Sequence, residues 1–174
     1  MPRLSGDRGE GFIIRFFRRR NGFFMGRRAA RELVLHLIFQ HDYTGQDAQE
    51  ILRARVTPQA FGELEGEYSL YRELPEPEQN EYIIRAVRGV IQQLGELDSY
   101  IEKYAVGWNF SRITRVSKCL MRLSMYELLY MDIPMKVSLN EALELAKKYD
   151  SEEAAQFING IMGSFIKHEI NNEP

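Results

Sequence analysis

Apolar residues recur three and four positions apart along most of this chain, and this spacing constrains the fold more than any other feature. In residues 27–42 the apolar positions include Ala30, Leu33, Val34 and Leu37. Such spacing places apolar side chains on one face of an α-helix. The chain shows no alternating pattern long enough to predict a β-strand, and no internal repeat of the kind that builds solenoids. The sequence therefore predicts an all-α fold of about seven helices.

Residues typical of helix ends stand at several of the expected boundaries. Gly45 is expected to end the first long helix, because glycine readily takes the left-handed conformation found there. Thr57 followed by Pro58 is expected to begin a third helix. Residues 138–141 and 150–153 both resemble capping boxes, which predicts the starts of the last two helices at these positions.

A change in composition divides the helical pattern into two halves. Segment 73–80 is acidic and punctuated by prolines, which is typical of a connection. Met25 opens the first helical segment, so the residues before it are either an RNA-contacting arm or an upstream extension without a structural role. We expect four regions: a basic extension over 1–25, an N-terminal helical subdomain over 26–72, a linker over 73–80 and a C-terminal helical subdomain over 81–170.

Charge is distributed unevenly along the chain. Residues 1–28 contain eight arginines and two acidic residues, whereas residues 29–174 carry 15 basic and 23 acidic side chains. A basic arm on an acidic body indicates a polyanionic partner, and the planar guanidinium of arginine suits phosphates and bases. Arg27, Arg28 and Arg31 lie in the first turns of the first predicted helix, where the helix dipole disfavours cations. We therefore expect nucleic-acid contact there, with side chains that extend into solvent.

Several classes of function have little support in the residues present. A single cysteine, Cys119, allows no intrachain disulfide, and His36, His41 and His168 are too scattered to predict a metal cluster. No phosphate-binding glycine loop or hydrolase motif is present, and no apolar run approaches the roughly 20 residues that cross a bilayer. We expect a cytoplasmic protein without cofactor, metal, membrane partner or catalytic activity, in which Cys119 is a small buried residue.

Two motifs in the last third of the chain resemble the NusB family of transcription antitermination factors. They are Ser-Leu-Asn-Glu-Ala-Leu-Glu-Leu-Ala-Lys-Lys-Tyr over residues 138–149 and Gln-Phe-Ile-Asn-Gly-Ile-Met over residues 156–162. Segments 27–33, 100–108 and 120–128 agree with the family in order and spacing. The resemblance implies a helical protein that binds the boxA RNA of ribosomal RNA leader transcripts together with NusE, a small-subunit ribosomal protein. It also implies a role in assembling the antitermination complex on RNA polymerase.

The resemblance further implies roles for individual residues. The positions it assigns to RNA are Arg27, Arg28, Arg31, Trp108, Arg122 and Phe157, and those it assigns to NusE are Phe39 and Ser117. Ser117 stands where the family has an acidic residue. With Arg112, Arg115 and Lys118 nearby, this helix is more basic than the family pattern. Members of the family occur as monomers and as homodimers that hide the RNA surface, so a homodimer is a further partner to consider.

Each of these residues also has a purely structural interpretation. Trp108 suits a partly buried hinge between subdomains, and Phe157 suits the core. Arg122 is also consistent with an ion pair inside the chain, to Glu127 or another acid. Gly160 lies in the middle of a predicted helix, where glycine usually permits the close approach of another helix.

Two other functions compete with RNA binding. One is a helical protein-interaction module whose basic arm is incidental. The other is a helix-turn-helix DNA reader, which the acidic body and the lack of a basic second helix disfavour. A steep dependence of RNA affinity on salt separates RNA binding from the interaction module.

Overall fold

The computed structural model describes residues 24–172, and eight α-helices contain most of them. In chain order these are α1 Arg27–Thr44, α2 Ala48–Arg55, α3 Pro58–Leu64, α4 Pro77–Gln92, α5 Leu94–Tyr104, α6 Arg115–Tyr130, α7 Met135–Tyr149 and α8 Glu152–Phe165. Short 3-10 helices lie at Ser69–Tyr71 and Phe110–Arg112, and a π-helical turn over Ile166–Ile170 extends α8. The predicted all-α class is confirmed, with eight helices where about seven were expected.

The starts and ends of the first three helices follow from local sequence. Gly45 ends α1 with a φ of 73°, a conformation that favours glycine. Thr57 caps α3 through its side-chain oxygen, and Pro58 is the first helical residue, as predicted. Asp47 and Glu50 form a reciprocal capping box at the start of α2. Each of these caps joins groups no more than four residues apart in sequence.

The predicted capping box at residues 138–141 is wrong. Helix α7 begins three residues before Ser138, so this serine lies inside the helix and is buried. Its hydroxyl donates to Glu127 Oε2 at 2.7 Å and lies 2.8 Å from the Ser124 hydroxyl. At the next boundary the cap is Ser151 rather than Asp150, one residue later than predicted.

Helix α1 lies at the centre of the molecule. It packs against α4 and α6, and its apolar face joins one hydrophobic core with residues from every later α-helix, including Phe61 of α3. Buried members from α1 include Leu33, Leu37 and Ile38. The part of the chain expected to form the N-terminal half is thus held directly against helices of the C-terminal half. The division into two subdomains stays a prediction.

The segment predicted to link the two halves also anchors the start of α1. The Met25 backbone N–H donates to the Leu74 carbonyl at 3.1 Å, and Met25 forms an isolated parallel bridge with Pro75. The Met25 side chain is buried. Helix α4 begins at Pro77, inside the predicted linker. The greater part of the predicted basic extension lies outside the described residues.

The glycine that allows two helices to approach closely is Gly89 in α4. A Cβ atom at this position would overlap the ring of Tyr126 in α6. Gly160, where we expected such an approach, has no neighbour within 4 Å of a Cβ position. The expectation for Gly160 is therefore wrong, and the close contact lies between α4 and α6.

Candidate nucleic-acid interface

Two of the predicted RNA-binding arginines lie at the surface, at the start of α1. The Arg28 side chain is 70% exposed, and its Nε and Nη2 donate to the Glu141 carboxylate at 3.0 and 2.8 Å. The hydrogen bonds and charge of Glu141 raise the pKa of Arg28. Arg27 donates to Glu78 at 2.8 Å, and its guanidinium carbon lies 4.3 Å from the centre of the Tyr82 ring. Both arginines are thus held in place by carboxylates that also compensate their charge.

Arg31 is buried, and the expectation that its side chain extends into solvent is wrong. Only 3% of Arg31 is exposed, and its Nε donates to Glu127 Oε1 at 2.8 Å. Glu127, fully buried in α6, also accepts from the hydroxyls of Tyr82 at 2.6 Å and Ser138 at 2.7 Å. Burial works against the charge of Arg31, but Tyr82 and Glu127 raise its pKa overall. Arg31 therefore links α1 to α4, α6 and α7 inside the protein.

Arg122 is also buried in an ion pair, as its structural interpretation anticipated. Its Nε and Nη2 donate to the Asp98 carboxylate at 2.6 and 2.9 Å, and its Nη1 donates to Asp42 at 2.7 Å. Although burial opposes the charge, these bonds raise the pKa of Arg122. The acids are Asp98 and Asp42 rather than Glu127. This guanidinium joins α1, α5 and α6 and directs its donors into the protein.

Trp108 and Phe157 come together at the surface. Trp108 follows Gly107, whose φ of 81° turns the chain after α5. Trp108 is 61% exposed, and its ring meets the half-buried Phe157 ring edge to face, with centroids 4.9 Å apart. Phe157 also packs against the hydrophobic core. The pair therefore presents an indole face to solvent on a support fixed by the core.

The two positions assigned to NusE are in different surroundings. Phe39 in α1 is half-buried and packs against the core. Ser117 in α6 is buried, and its hydroxyl donates to Asp150 Oδ2 at 3.1 Å. That hydroxyl is thus occupied within this chain. A role for either residue in partner binding stays a prediction.

The carboxylates that hold the α1 arginines were not predicted from the sequence. Glu78 is 51 positions from Arg27, and Glu141 is 113 positions from Arg28. Charge alone gives no signal for a pairing at such separation, because 25 acidic residues are available. Only the packing of α7 beside α1 selects Glu141.

Metal ligands, membrane-spanning helices and the single cysteine bear on other classes of function. Residues 24–172 contain no group of three or more His, Cys, Asp or Glu side chains able to hold a metal ion. Among the same residues, no helix combines the length and apolar character that crossing a membrane requires. Cys119 is buried as expected, and burial raises the pKa of its thiol to about 12. The thiol is thus protonated near neutral pH.

Comparison with known proteins identifies the family. The family model of the NusB family matches residues 28–167. The transcription antitermination protein NusB of Acetivibrio thermocellus is 40% identical over 147 residues, which is 84% of this chain and 92% of that protein.

Solved structures have the same fold. A structure of T. maritima NusB is 28% identical, with a TM-score of 0.67 over 82% of this chain and 91% of that one. A crystal structure of antitermination factors NusB and NusE in complex with dsRNA contains a chain that is 22% identical, with a TM-score of 0.64, and covers 79% of this chain and 93% of that one. The chain therefore belongs to the NusB family, as the motifs at residues 138–149 and 156–162 indicated.

Proposed function

We propose that this chain is a transcription antitermination factor that binds single-stranded boxA RNA of ribosomal RNA leaders. It does so together with NusE, and the pair helps to assemble the antitermination complex on RNA polymerase. Family membership supports the role in antitermination. The observations that carry RNA binding are an arginine pair at the start of α1, with Arg28 exposed and Arg27 half-buried, and the exposed indole of Trp108.

The six residues that the resemblance assigned to RNA divide into two groups. Arg27 and Arg28 are placed to contact phosphates, because their guanidinium groups reach the surface at the start of α1. Trp108, supported by Phe157, is placed to stack on a base, as aromatic side chains do in single-stranded RNA complexes. Arg31 and Arg122 are buried, and their ion pairs fix the positions of the helices that carry the exposed groups.

Phosphates must compete with carboxylates at this surface. Glu78 and Glu141 accept hydrogen bonds from Arg27 and Arg28 in the free protein. These ion pairs are at least partly exposed, where salt bridges contribute little to stability, so an RNA phosphate can replace them at small cost. The carboxylates keep the arginines extended along the surface until RNA arrives.

The protein partner is proposed to contact α1 near Phe39. In the solved complex that matches this fold, NusB is bound with NusE and dsRNA. Phe39 lies three turns beyond Arg28 on the same helix, so RNA and a protein partner can bind along one element. A homodimer that covers the same helix would compete with both.

The test is binding of a boxA single strand across a range of salt concentrations, with and without NusE. Replacing Arg27 and Arg28 by glutamine should reduce the salt slope by about 1.4, because each lost phosphate contact to a single strand removes about 0.7. The matched control replaces Arg53 and Arg72, which are exposed on other elements, and should leave the slope unchanged.

Two outcomes would change the proposal. If the wild-type chain binds RNA without salt dependence, or not at all, the helical interaction module is the better description. If deleting residues 1–24 abolishes binding while the glutamine variant binds normally, the arginines of the extension hold the RNA. We expect most of the affinity to survive that deletion.

A further inference from the structure

A second candidate surface lies at the start of α6. It is formed by the exposed residues Tyr43, Arg112 and Arg115 and the half-buried residues Phe110 and Lys118, and we call it the α6 strip. Lys118 Nζ lies 4.8 Å from the centre of the Phe110 ring, and the Arg115 guanidinium carbon lies 5.4 Å from the centre of the Tyr43 ring. Arg115 and Lys118 are three positions apart on one helix and therefore share a face. Ring, cation, cation and ring thus follow one another in a continuous row.

The cations of the α6 strip are less compensated than those of α1. Within residues 24–172, the side chains of Arg112 and Lys118 make no hydrogen bond or ion pair, whereas Arg27 and Arg28 each have a carboxylate partner. Tyr43 at the end of the row is 72% exposed. The strip therefore offers free positive charge beside open aromatic surface.

Two acids border the strip, and both also bind residues outside it. Asp42 pairs with Arg115 at 3.8 Å and accepts from Arg115 Nη1 through its backbone carbonyl at 3.0 Å, but its carboxylate is held more closely by Arg122, at 2.7 Å. Asp150 accepts the hydroxyls of Thr114 and Ser117.

We propose that the α6 strip is a second contact for single-stranded RNA, an inference that rests on the proposed RNA binding. Grooves for single strands combine cations that follow the backbone with aromatic rings on which bases stack. Trp108 precedes Phe110 by two positions, so a strand that leaves the indole meets the strip next. The strip extends the contact from the aromatic pair to the end of α1 at Tyr43.

The electrostatic part of the proposal is tested with Arg112→Gln combined with Lys118→Gln in the full chain. The probe is a fluorescent oligouridine of about 12 nucleotides, a length within the range that single-strand sites cover. The salt slope should fall by about 1.4 relative to the wild-type chain. The matched control is Arg53→Gln with Lys167→Gln, which removes one exposed arginine and one exposed lysine far from α6 in sequence and should leave the slope unchanged.

The stacking part is tested separately with Tyr43. Tyr43→Ala should lower the affinity about tenfold, because it removes a ring on which a base stacks. Tyr43→Phe keeps the ring and should bind the oligouridine as tightly as the wild-type chain does. Circular dichroism of each variant, compared with the wild-type chain, verifies that the helices are intact.

The outcomes separate this proposal from the proposed function. If the Arg112/Lys118 variant and Tyr43→Ala bind oligouridine as the wild-type chain does, while the Arg27/Arg28 variant binds more weakly, RNA binding stands and the strip has no part in it. If the strip variants lose affinity for NusE but not for RNA, the strip is a protein face and the proposal is wrong. If the wild-type chain does not bind RNA, both proposals fail.

Discussion

At the scale of single residues, the arginines of α1 differ in function because they differ in burial. Arg31 is enclosed with Glu127, and removing one partner of a buried ion pair leaves the other charge without compensation. We expect Arg31→Ala to lower the free energy of unfolding by about 3–5 kcal/mol, measured by urea denaturation. Arg28→Ala is the control and should change stability little, because Arg28 is exposed. Equal effects of the two substitutions would contradict this interpretation.

A second residue-scale prediction concerns the dependence of stability on pH. Burial lowers the pKa of His36, whose Nε2 lies 2.9 Å from the Tyr149 hydroxyl. The unfolded chain, with a histidine pKa of about 6.5, then binds a proton more readily than the folded protein. Stability from this residue is therefore present above about pH 6.5 and is lost as the pH falls towards the lower, folded pKa.

The measurement compares urea unfolding near pH 7.5 and pH 5.5 for the wild-type chain and His36→Gln. The wild-type chain should lose more unfolding free energy than the variant between these two conditions. Glu32, which lies nearby, does not interfere with this comparison. Hydrogen bonds from Lys148 and Tyr149 outweigh burial and lower the pKa of Glu32, so the stability that Glu32 contributes is lost only at a lower pH than the pH range compared here. An equal loss in both proteins would show that His36 does not contribute.

The sequence pattern predicts which face of a helix a residue occupies, but it does not identify the residue with which the side chain pairs. Arg31 is spaced four and seven positions before Leu35 and Ile38, which are both buried, so helical periodicity is consistent with its burial. The family resemblance instead placed Arg31 in contact with RNA. Nothing in the sequence selects Glu127, which is 96 positions away, and the choice depends on the packing of α6 beside α1.

At the scale of helices, two glycines provide a matched comparison. Gly89 lies where α4 meets the Tyr126 ring of α6, whereas Gly160 lies on an open face of α8. Gly160→Ala should stabilise the protein by up to about 1 kcal/mol, because alanine favours the helix interior. Gly89→Ala should destabilise it by about 1–3 kcal/mol, since the ring must move to make room. Thermal unfolding measures both, and a gain in stability for Gly89→Ala would contradict the close contact.

Helix ends show why part of the fold could be predicted and part could not. Thr57 and Gly45 complete hydrogen bonds within four residues, so the local sequence contains all the necessary information. Ser138 has the same local pattern as a cap, but its hydroxyl is used by Glu127 of another helix. A cap depends on neighbours in sequence, whereas a buried hydroxyl depends on neighbours in space. The same limit applies to the site, where Trp108 was identified but its support by Phe157 required the structure.

At the scale of the whole molecule, some charged residues lie at the surface and others are buried in the core. The body beyond residue 28 is acidic, yet five basic residues lie at the start of α1 and along the α6 strip, of which Arg28, Arg112 and Arg115 are exposed. The buried cations Arg31 and Arg122 join α1 to the helices that carry these groups. Helix α1 carries both Phe39, proposed for NusE, and the arginines proposed for RNA, and it packs on α4 and α6. Binding of two partners along this helix should then be coupled.

The last prediction is the size of that coupling. NusE should raise the affinity of the chain for boxA RNA at least about tenfold, or about 1.4 kcal/mol, within the usual range for linked sites. Thermodynamic linkage requires RNA to raise the affinity for NusE by the same factor. Both affinities are measured at one salt concentration, so that changes in phosphate contacts with ionic strength do not enter the comparison. Equal RNA affinity with and without NusE would show that the two partners bind independently. A gain that persists in the Arg27/Arg28 variant would place the coupled RNA contact away from the start of α1.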